Sequence, residues 1–176
     1  MYRDLRGYIE ALRRHGELVD IDQEVDWNLE AAAIVRLGNQ LGSKACLMNK
    51  IRDYPDQRYL GGVFNSYRRA AVAIGLPPDS SLQEIQAIYR ERLDHPIKPI
   101  IVDNAPCQEN ILTEEDVNLF ELAVPYVHDG DGGRYLNTWG LVATPDYRTD
   151  WINWGMYRQM VHNKTTLGGL CAPSQD

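Results

Sequence analysis

Apolar residues at the start of the chain recur at the spacing of a helix, and a short apolar run follows them. The helical positions share one face and comprise Leu5, Tyr8, Ile9 and Leu12. Asp4 can cap this helix and Gly16 can end it, so the pattern predicts an amphipathic helix between them. Residues 18–21 then suit a short strand.

The alternation of helix and strand continues beyond this strand. Asp26 precedes a second predicted helix, which ends at Gly42. Its apolar face is predicted to comprise Leu29, Ala33, Leu37 and Leu41. Residues 45–48 and 59–64 are predicted to be strands on either side of a turn-rich segment.

Two helices that start at serines and one more strand complete the first region. Ser66 caps a predicted helix that ends near Gly75. The next helix runs to about Leu93 and starts at a doubled capping pattern of Ser80, Ser81, Gln83 and Glu84. The apolar run at residues 100–102 predicts a strand, and we place the first domain boundary in the loop at residues 104–110.

Two later stretches, residues 135–144 and 151–161, are rich in aromatic and β-branched residues. Pro145, Asp146 and Asp150 lie between them and favour a turn, so the two stretches predict a β-meander. Two or three strands cannot bury both faces of a sheet by themselves. We therefore expect additional polypeptide, from the same protein or from a partner chain, to complete this sheet.

The acidic composition narrows the classes of partner. The 176 residues carry a formal charge of −7 and have a pI near 5.1, which opposes a nucleic-acid binder because such proteins contact phosphates through Lys and Arg. The three cysteines form no CxxC pair, so neither a disulfide framework nor a zinc site is indicated. No stretch approaches the ~20 apolar residues of a membrane span, and we expect a cytoplasmic protein.

Two segments of the second region contain candidate chemistry. The sequence DGDGGR at residues 129–134 permits close approach of a ligand to the backbone, but a turn that enters a strand is its more common use. In NWGMYR, residues 153–158, strand alternation points Asn153 and Arg158 to opposite faces. Asn can ligate a hard cation and Arg can hold a carboxylate, although both are more often structural on strands. The four histidines, including His162, form no closely spaced pair, and we expect each to be exposed or structural.

Taken in order, four motifs resemble the UbiD family of carboxy-lyases. They are DLRGYIEALRRHGELVDI at residues 4–21, APCQE at 105–109, DGGRY at 131–135 and NWGMYR at 153–158. The resemblance covers essentially the whole chain. It is greatest to members that act on hydroxybenzoates and other aromatic acids.

The resemblance implies an α/β (α+β) N-terminal domain at residues 1–110, followed at residues 111–176 by the first strands of a split β-barrel resembling flavin reductases. It implies prenylated FMN (prFMN) as cofactor, together with a divalent metal, usually Mn²⁺, and K⁺. The implied reaction is the reversible decarboxylation of an aromatic or α,β-unsaturated carboxylic acid, with the cofactor as electron sink. A flavin prenyltransferase that supplies the cofactor and a homo-oligomeric parent enzyme are also implied.

By their positions in the family motifs, Asn153 corresponds to a ligand of the metal and Arg158 to the catalytic arginine that faces the substrate carboxylate. The residues implied to line the cofactor are Thr138, Asn153, Trp154, Gly155, Met156, Tyr157, Arg158 and Gln175. The family's metal-binding histidine is expected near Asp176, and its acid–base glutamates are expected further on. Because a general acid contributes ~10²- to 10⁴-fold in rate, we expect the chain to be inactive alone.

Two other interpretations stay open. In one, the chain is a noncatalytic small subunit that lends part of a barrel to another polypeptide. In the other, it is an FMN-binding module, which would bind flavin reversibly without any partner.

Overall fold

A computed structural model describes residues 2–98 and 100–170. The chain divides into two compact units. Unit 1 comprises Met1–Gln23, Val35–Asn49 and Tyr59–Ile111, and unit 2 comprises Glu24–Ile34, Lys50–Arg58 and Leu112–Asp176. The described residues form a mixed α/β fold with small sheets.

The helices and strands up to Asp94 follow one another in the order that the sequence predicts. In chain order they are α1 Leu5–Arg14, β1 Leu18–Val25, α2 Glu30–Gln40, β2 Ala45–Ile51, β3 Tyr59–Gly61, α3 Tyr67–Ala73 and α4 Leu82–Asp94. The strands form one sheet in the order β1-β2-β3, in which β2 and β3 are antiparallel.

The core of unit 1 lies where α1 and α3 meet the sheet. Its buried members are Tyr8, Ala11, Leu12, Leu18, Ala45, Leu47 and Val72. Three of these come from α1 at helical spacing. The predicted amphipathic helix is confirmed, except that Leu5 of its predicted apolar face is 58% exposed.

Local capping fixes several helix ends. The Asp4 carboxylate accepts a hydrogen bond of 2.9 Å from the Gly7 N–H, and Gly16 has the positive φ of 68° that favours glycine after a helix. Ser66 caps α3 through the Arg69 N–H, and Ser81 and Glu84 form a reciprocal capping box at α4. The predicted helix starts at these residues are confirmed.

The second helix differs from its prediction in its start and in its buried face. The Asp26 carboxylate accepts a hydrogen bond from the Asn28 N–H at 2.8 Å, and Leu29 has a φ of 68°, so a turn delays the helix until Glu30. The predicted apolar face was wrong because Leu37 and Leu41 are 55% and 71% exposed.

The strand predicted at residues 100–102 was also wrong. Among the described residues of this run, Ile100 and Ile101 are 85% and 96% exposed and have no assigned strand structure. An apolar run forms a strand only where neighbours pair with it and cover it.

In the described residues, three single-turn 3₁₀ helices lie between α4 and the later strands. They are Pro106–Gln108, which belongs to unit 1, and Glu114–Asp116 and Leu119–Glu121, which belong to unit 2. The later strands all lie in unit 2 and are short. The strands are β4 Tyr135–Leu136, β5 Val142–Pro145, β6 Ile152–Gly155, β7 Gln159–Val161 and β8 Leu167–Gly169. They form one sheet in the order β4-β7-β8 and a separate β5-β6 pair. Of the helices in residues 2–98 and 100–170, none combines the length and apolar character that crossing a bilayer requires.

Candidate functional site

The two long strands predicted in the second region are each split in two, although they do run antiparallel. Tyr135 pairs with Met160 at one end, and Val142 pairs with Gly155 beyond the break. Between these paired segments, one arm contains residues 137–141 and the other contains residues 156–158. The arms are therefore unequal by two residues, and the ladder cannot pass through this point without interruption.

The turn beyond the break matches the predicted turn residues. The Asp146 N–H donates to the Trp151 carbonyl at 2.9 Å, and the Asp146 carboxylate accepts hydrogen bonds of 3.0 Å from the Arg148 N–H and the Thr149 hydroxyl. The Arg148 N–H, followed by the Thr149 hydroxyl, lowers the pKa of Asp146 below its ordinary value. The turn therefore closes the β5-β6 hairpin.

A cavity of about 570 Å³ lies at the interruption. Both arms, Tyr135 at the start of β4 and the β7-β8 hairpin with the residue after it contribute to its wall. The lining residues are Tyr135, Asn137, Thr138, Met156, Tyr157, Arg158, Met160, His162, Gly168, Gly169 and Leu170. Strand interruptions of this kind re-aim side chains next to functional sites, so the break in the ladder creates the cavity.

The charge of the cavity differs from that of the chain. Arg158 supplies a guanidinium, and its central carbon lies 5.7 Å from the centroid of the Tyr135 ring. The described lining residues include no Asp or Glu, whereas the whole chain carries a formal charge of −7. An arginine can hold a carboxylate or phosphate through two parallel hydrogen bonds, so this cavity suits an anionic ligand.

Four of the residues singled out in the sequence border the cavity, namely Thr138, Met156, Tyr157 and Arg158. Because three consecutive residues line one cavity, the expected alternation of faces does not continue past the end of β6 at Gly155. The strand ends there, and residues 156–158 adopt no strand structure.

Of the other predicted site residues, Asn153, Trp154 and Gly155 are not among the lining residues of the cavity. Asn153 is opposite Thr144 in the β5-β6 pair, and its amide nitrogen donates to the Tyr157 hydroxyl at 3.4 Å. Trp154 is 61% exposed, and a Cβ at Gly155 would overlap the Tyr157 ring. Gln175 lies outside the described residues.

Sequence reasoning missed several lining residues, among which His162 is the clearest case. A Cβ at Gly168 would overlap the His162 ring, so the glycine makes room for the imidazole across the β7-β8 hairpin. The sequence signal was the glycine pair at 168 and 169, which follows the histidine at hairpin distance. The expectation that His162 is merely exposed or structural therefore omitted its place in the cavity wall.

The DGDGGR segment forms a turn that enters β4. The His128 N–H donates to the Asp131 carboxylate at 3.0 Å, and Gly130 has a φ of 88°. A Cβ on Gly132 or Gly133 would lie 3.2 Å from the Met160 side chain. The glycines thus serve close packing and a turn, which agrees with the more common use of such a sequence.

Asn153 is the only described residue that the family resemblance implies as a metal ligand. Within residues 2–98 and 100–170, no group of three or more His, Cys, Asp or Glu side chains is arranged to hold a metal ion. Asn153 as a metal ligand therefore stays a prediction.

Comparisons with known proteins agree with the resemblance seen in the motifs. Residues 9–89 match the model of the 3-octaprenyl-4-hydroxybenzoate carboxy-lyase N-terminal domain. Residues 100–176 match the Rift-related domain of the same carboxy-lyase. Pyrrole-2-carboxylic acid decarboxylase of Pseudomonas aeruginosa is 38% identical over an aligned length of 183 residues. The alignment covers 98% of this chain and 36% of that protein.

Two solved structures extend the comparison to the fold. Vanillic acid decarboxylase of Sedimentibacter hydroxybenzoicus in closed form has a TM-score of 0.89 at 30% identity, covering 98% of this chain and 38% of that one. An evolved dimeric form of the UbiD-class enzyme HmfF from Pelotomaculum thermopropionicum, in complex with prFMN, has a TM-score of 0.81 at 25% identity and corresponding coverages of 98% and 39%. The chain thus spans between 36% and 39% of these three proteins. It belongs to the UbiD family of carboxy-lyases and corresponds to the family's N-terminal portion.

Proposed function

We propose that the chain is part of a reversible, non-oxidative decarboxylase of aromatic or α,β-unsaturated carboxylic acids that uses prFMN. The observation that carries this proposal is the cavity at the broken ladder, which contains Arg158 and has no acidic side chain among its described lining residues. The relatives' names support the substrate class, since they include pyrrole-2-carboxylic acid and ferulic acid decarboxylases. A hydroxybenzoate-like substrate is the specific expectation.

The cavity fits a flavin in size and in chemistry. Its volume of about 570 Å³ falls within the ~300–1,000 Å³ of small-molecule sites. The rings of Tyr135 and Tyr157 and the methionine side chains offer surfaces for a flat ring system, and Gly169 of β8 allows close approach of a ligand. When bound, prFMN would supply the electron sink for decarboxylation.

The chain's own contribution is to bind and orient the acid. Arg158 would hold the carboxylate through charge-assisted hydrogen bonds until carbon dioxide leaves. Thr138, Met156 and Tyr157 would position the cofactor from the wall of the cavity. Trp154, Gly155 and Gln175 complete the proposed set of cofactor contacts.

Asn153 is the proposed ligand of a divalent metal, Mn²⁺, with K⁺ as a second cation. The contact between Asn153 and the Tyr157 hydroxyl places this carboxamide next to a lining residue, which supports the proposal. Hard cations take six or more oxygen ligands, so such a site needs donors in addition to Asn153.

We also propose a domain arrangement, an assembly and a cellular location for the parent protein. Residues 1–110 would form the N-terminal domain, and residues 111–176 would begin a split β-barrel resembling flavin reductases, in line with the match to the Rift-related domain. The parent would be a homo-oligomer in the cytoplasm and would receive its cofactor from a flavin prenyltransferase. Three cysteines without a pairing pattern suit that reducing compartment.

The central experiment measures binding of a carboxylate to the flavin-loaded chain. FMN is added first, its binding is followed by flavin fluorescence, and 4-hydroxybenzoate is then titrated. Arg158→Ala should weaken 4-hydroxybenzoate binding by roughly tenfold or more, because a hydrogen bond to a charged group contributes ~1.5–3 kcal/mol. Arg148→Ala is the matched control, since Arg148 lies in the β5-β6 turn, stacked on Tyr147 at 5.2 Å. Equal affinities of the two variants would refute the assigned role of Arg158.

Activity is expected to require more than this chain, because the acid–base glutamates are expected in other parts of the parent. Release of carbon dioxide by the purified chain supplied with prFMN and Mn²⁺ would contradict that expectation. If FMN stays bound after dialysis and no aromatic acid alters its spectrum, the FMN-binding module becomes the better interpretation.

A further inference from the structure

Arg134 lies at the centre of a set of aromatic side chains in unit 2. Its guanidinium carbon is 4.1 Å from the centroid of the Trp27 ring, 5.5 Å from that of Tyr54 and 6.0 Å from that of Phe120. The distances to Trp27 and Tyr54 fall within the range of cation–π attraction. We call Arg134 and these three rings the arginine cage.

Hydrogen bonds fix the orientation of the guanidinium inside the cage. Arg134 Nε donates to the Val124 carbonyl at 2.6 Å, and Nη2 donates to the Tyr54 hydroxyl at 3.0 Å. The Tyr54 hydroxyl itself donates to the Phe120 carbonyl at 2.8 Å. A planar guanidinium can make these contacts at once, whereas a lysine ammonium is a single point of charge.

The backbone of Arg134 connects the cage to the cavity. Its carbonyl accepts a hydrogen bond of 2.8 Å from the Val161 N–H, and the next residue, Tyr135, donates its N–H to the Pro125 carbonyl at 3.2 Å. Tyr135 begins β4 and lines the cavity. Its ring faces the Arg158 guanidinium, with 5.7 Å between centroid and central carbon.

We propose that Arg134 is a positioning residue of the cavity. By anchoring the start of β4 in the arginine cage, it sets the position of the Tyr135 ring, and that ring sets the position of the Arg158 guanidinium. Neither the catalytic nor the cofactor-binding residues assigned above include Arg134. The functional consequence rests on the proposed carboxylate-binding role of Arg158, but the geometric claim does not.

The geometric claim is tested without any ligand, by NMR of the full chain with ¹⁵N-labelled arginine. The Arg158 Nε–Hε signal is assigned by its loss in Arg158→Lys, and its dependence on the neighbouring ring is measured in Tyr135→Leu. Arg134→Met should move the Arg158 signal in the same direction as Tyr135→Leu and by a comparable amount. Arg148→Lys should leave it in place.

Two results would overturn the proposal. In the first, Tyr135→Leu moves the Arg158 signal but Arg134→Met does not. In the second, neither substitution moves the Arg158 signal. If Arg134→Met does not fold, Arg134→Lys serves instead, because lysine keeps a positive charge near Trp27 but loses the paired donation to Val124 and Tyr54. An unmoved Arg158 signal in Arg134→Lys would count against the proposal in the same way.

Binding of 4-hydroxybenzoate to the FMN-loaded chain provides the functional measurement. Arg134→Met should weaken it by ~10-fold, at the lower end of the ~10- to 100-fold cost of removing a group that orients a metal ligand. If the wild-type chain binds no 4-hydroxybenzoate, the proposed binding of that acid by this chain fails, while the NMR result still decides the role of Arg134. If the wild type binds it and Arg134→Met binds it equally well, the positioning role is refuted.

Discussion

Replacing Tyr8 with phenylalanine should remove a pH-dependent part of the stability of unit 1. Tyr8 is 5% exposed, and its hydroxyl lies 2.8 Å from the Val63 carbonyl and 3.0 Å from the Arg69 carbonyl. Burial raises the pKa of Tyr8 from 10.0 to about 12, because a phenolate in this core would lose its hydration.

The sign of the pH effect follows from this raised pKa. The folded protein keeps the Tyr8 proton between pH 10 and about 12, whereas the unfolded chain releases it. The stabilisation is therefore complete below pH 10 and is lost as the pH rises through this window. A difference between 10 and about 12 corresponds to roughly 3 kcal/mol of unfolding free energy.

Urea unfolding followed by far-UV circular dichroism, repeated from pH 7 to pH 12, measures this contribution, because helices α1, α3 and α4 belong to unit 1. At pH 7, Tyr8→Phe should lower the unfolding free energy by about 1–2 kcal/mol, because buried carbonyl groups lose a donor. The wild type should then lose roughly 2 kcal/mol relative to the variant between pH 10 and 12, since each tyrosine is half protonated at its own pKa. Tyr147→Phe is the control, since Tyr147 is 91% exposed. Parallel stability curves of wild type and Tyr8→Phe across this window would refute the reasoning.

Two further changes test the cavity and a helix cap. Gly168→Ala should displace the His162 ring, because the new Cβ would overlap it, and should weaken FMN binding measured by fluorescence. Gly38→Ala in α2, whose Cβ would meet its nearest neighbour at 3.7 Å and which does not line the cavity, should bind FMN like the wild type, and equal loss in both variants would contradict this. Ser81→Ala should lower the unfolding free energy by about 1 kcal/mol at pH 7. Hydrogen bonds from the Ser81 N–H and then the Ser81 hydroxyl lower the pKa of Glu84, so this stabilisation exists above the ordinary Glu pKa and is lost as the pH falls. Because the Ser81 N–H is kept in Ser81→Ala, Glu84→Gln tests the pH dependence: its difference from the wild type in urea unfolding should shrink toward pH 3, and a constant difference would contradict this.

Helix starts were predictable because capping is local. The side chains of Asp4, Ser66 and Ser81 each accept a hydrogen bond from the backbone N–H three residues ahead. Both residues of each pair can therefore be recognised in the sequence. The start of α2 was not predicted, since the turn at Asp26 depends on a positive φ at Leu29, which is uncommon for leucine.

Long-range pairing accounts for most of what the sequence did not reveal. The family motif led to Arg158 and Tyr157, but the break in the ladder depends on which residues of two distant segments pair, and no residue type marks it. His162 was missed for the same reason, because its place in the wall depends on Gly168 across a hairpin. The run at residues 100–102 shows the converse, since apolar β-branched residues remain exposed where no neighbouring strand covers them.

The unequal arms of the ladder suggest that segment length, as well as residue identity, encodes the binding site. Deleting two residues from the segment 137–141 would give both arms the same length, and a continuous hairpin could then form across the gap. Such a deletion would favour regular strand pairing at the expense of the hollow. Engineering of ligand size in this scaffold could therefore proceed by insertions and deletions at residues 139–141 of this segment, which are not among the residues that line the site.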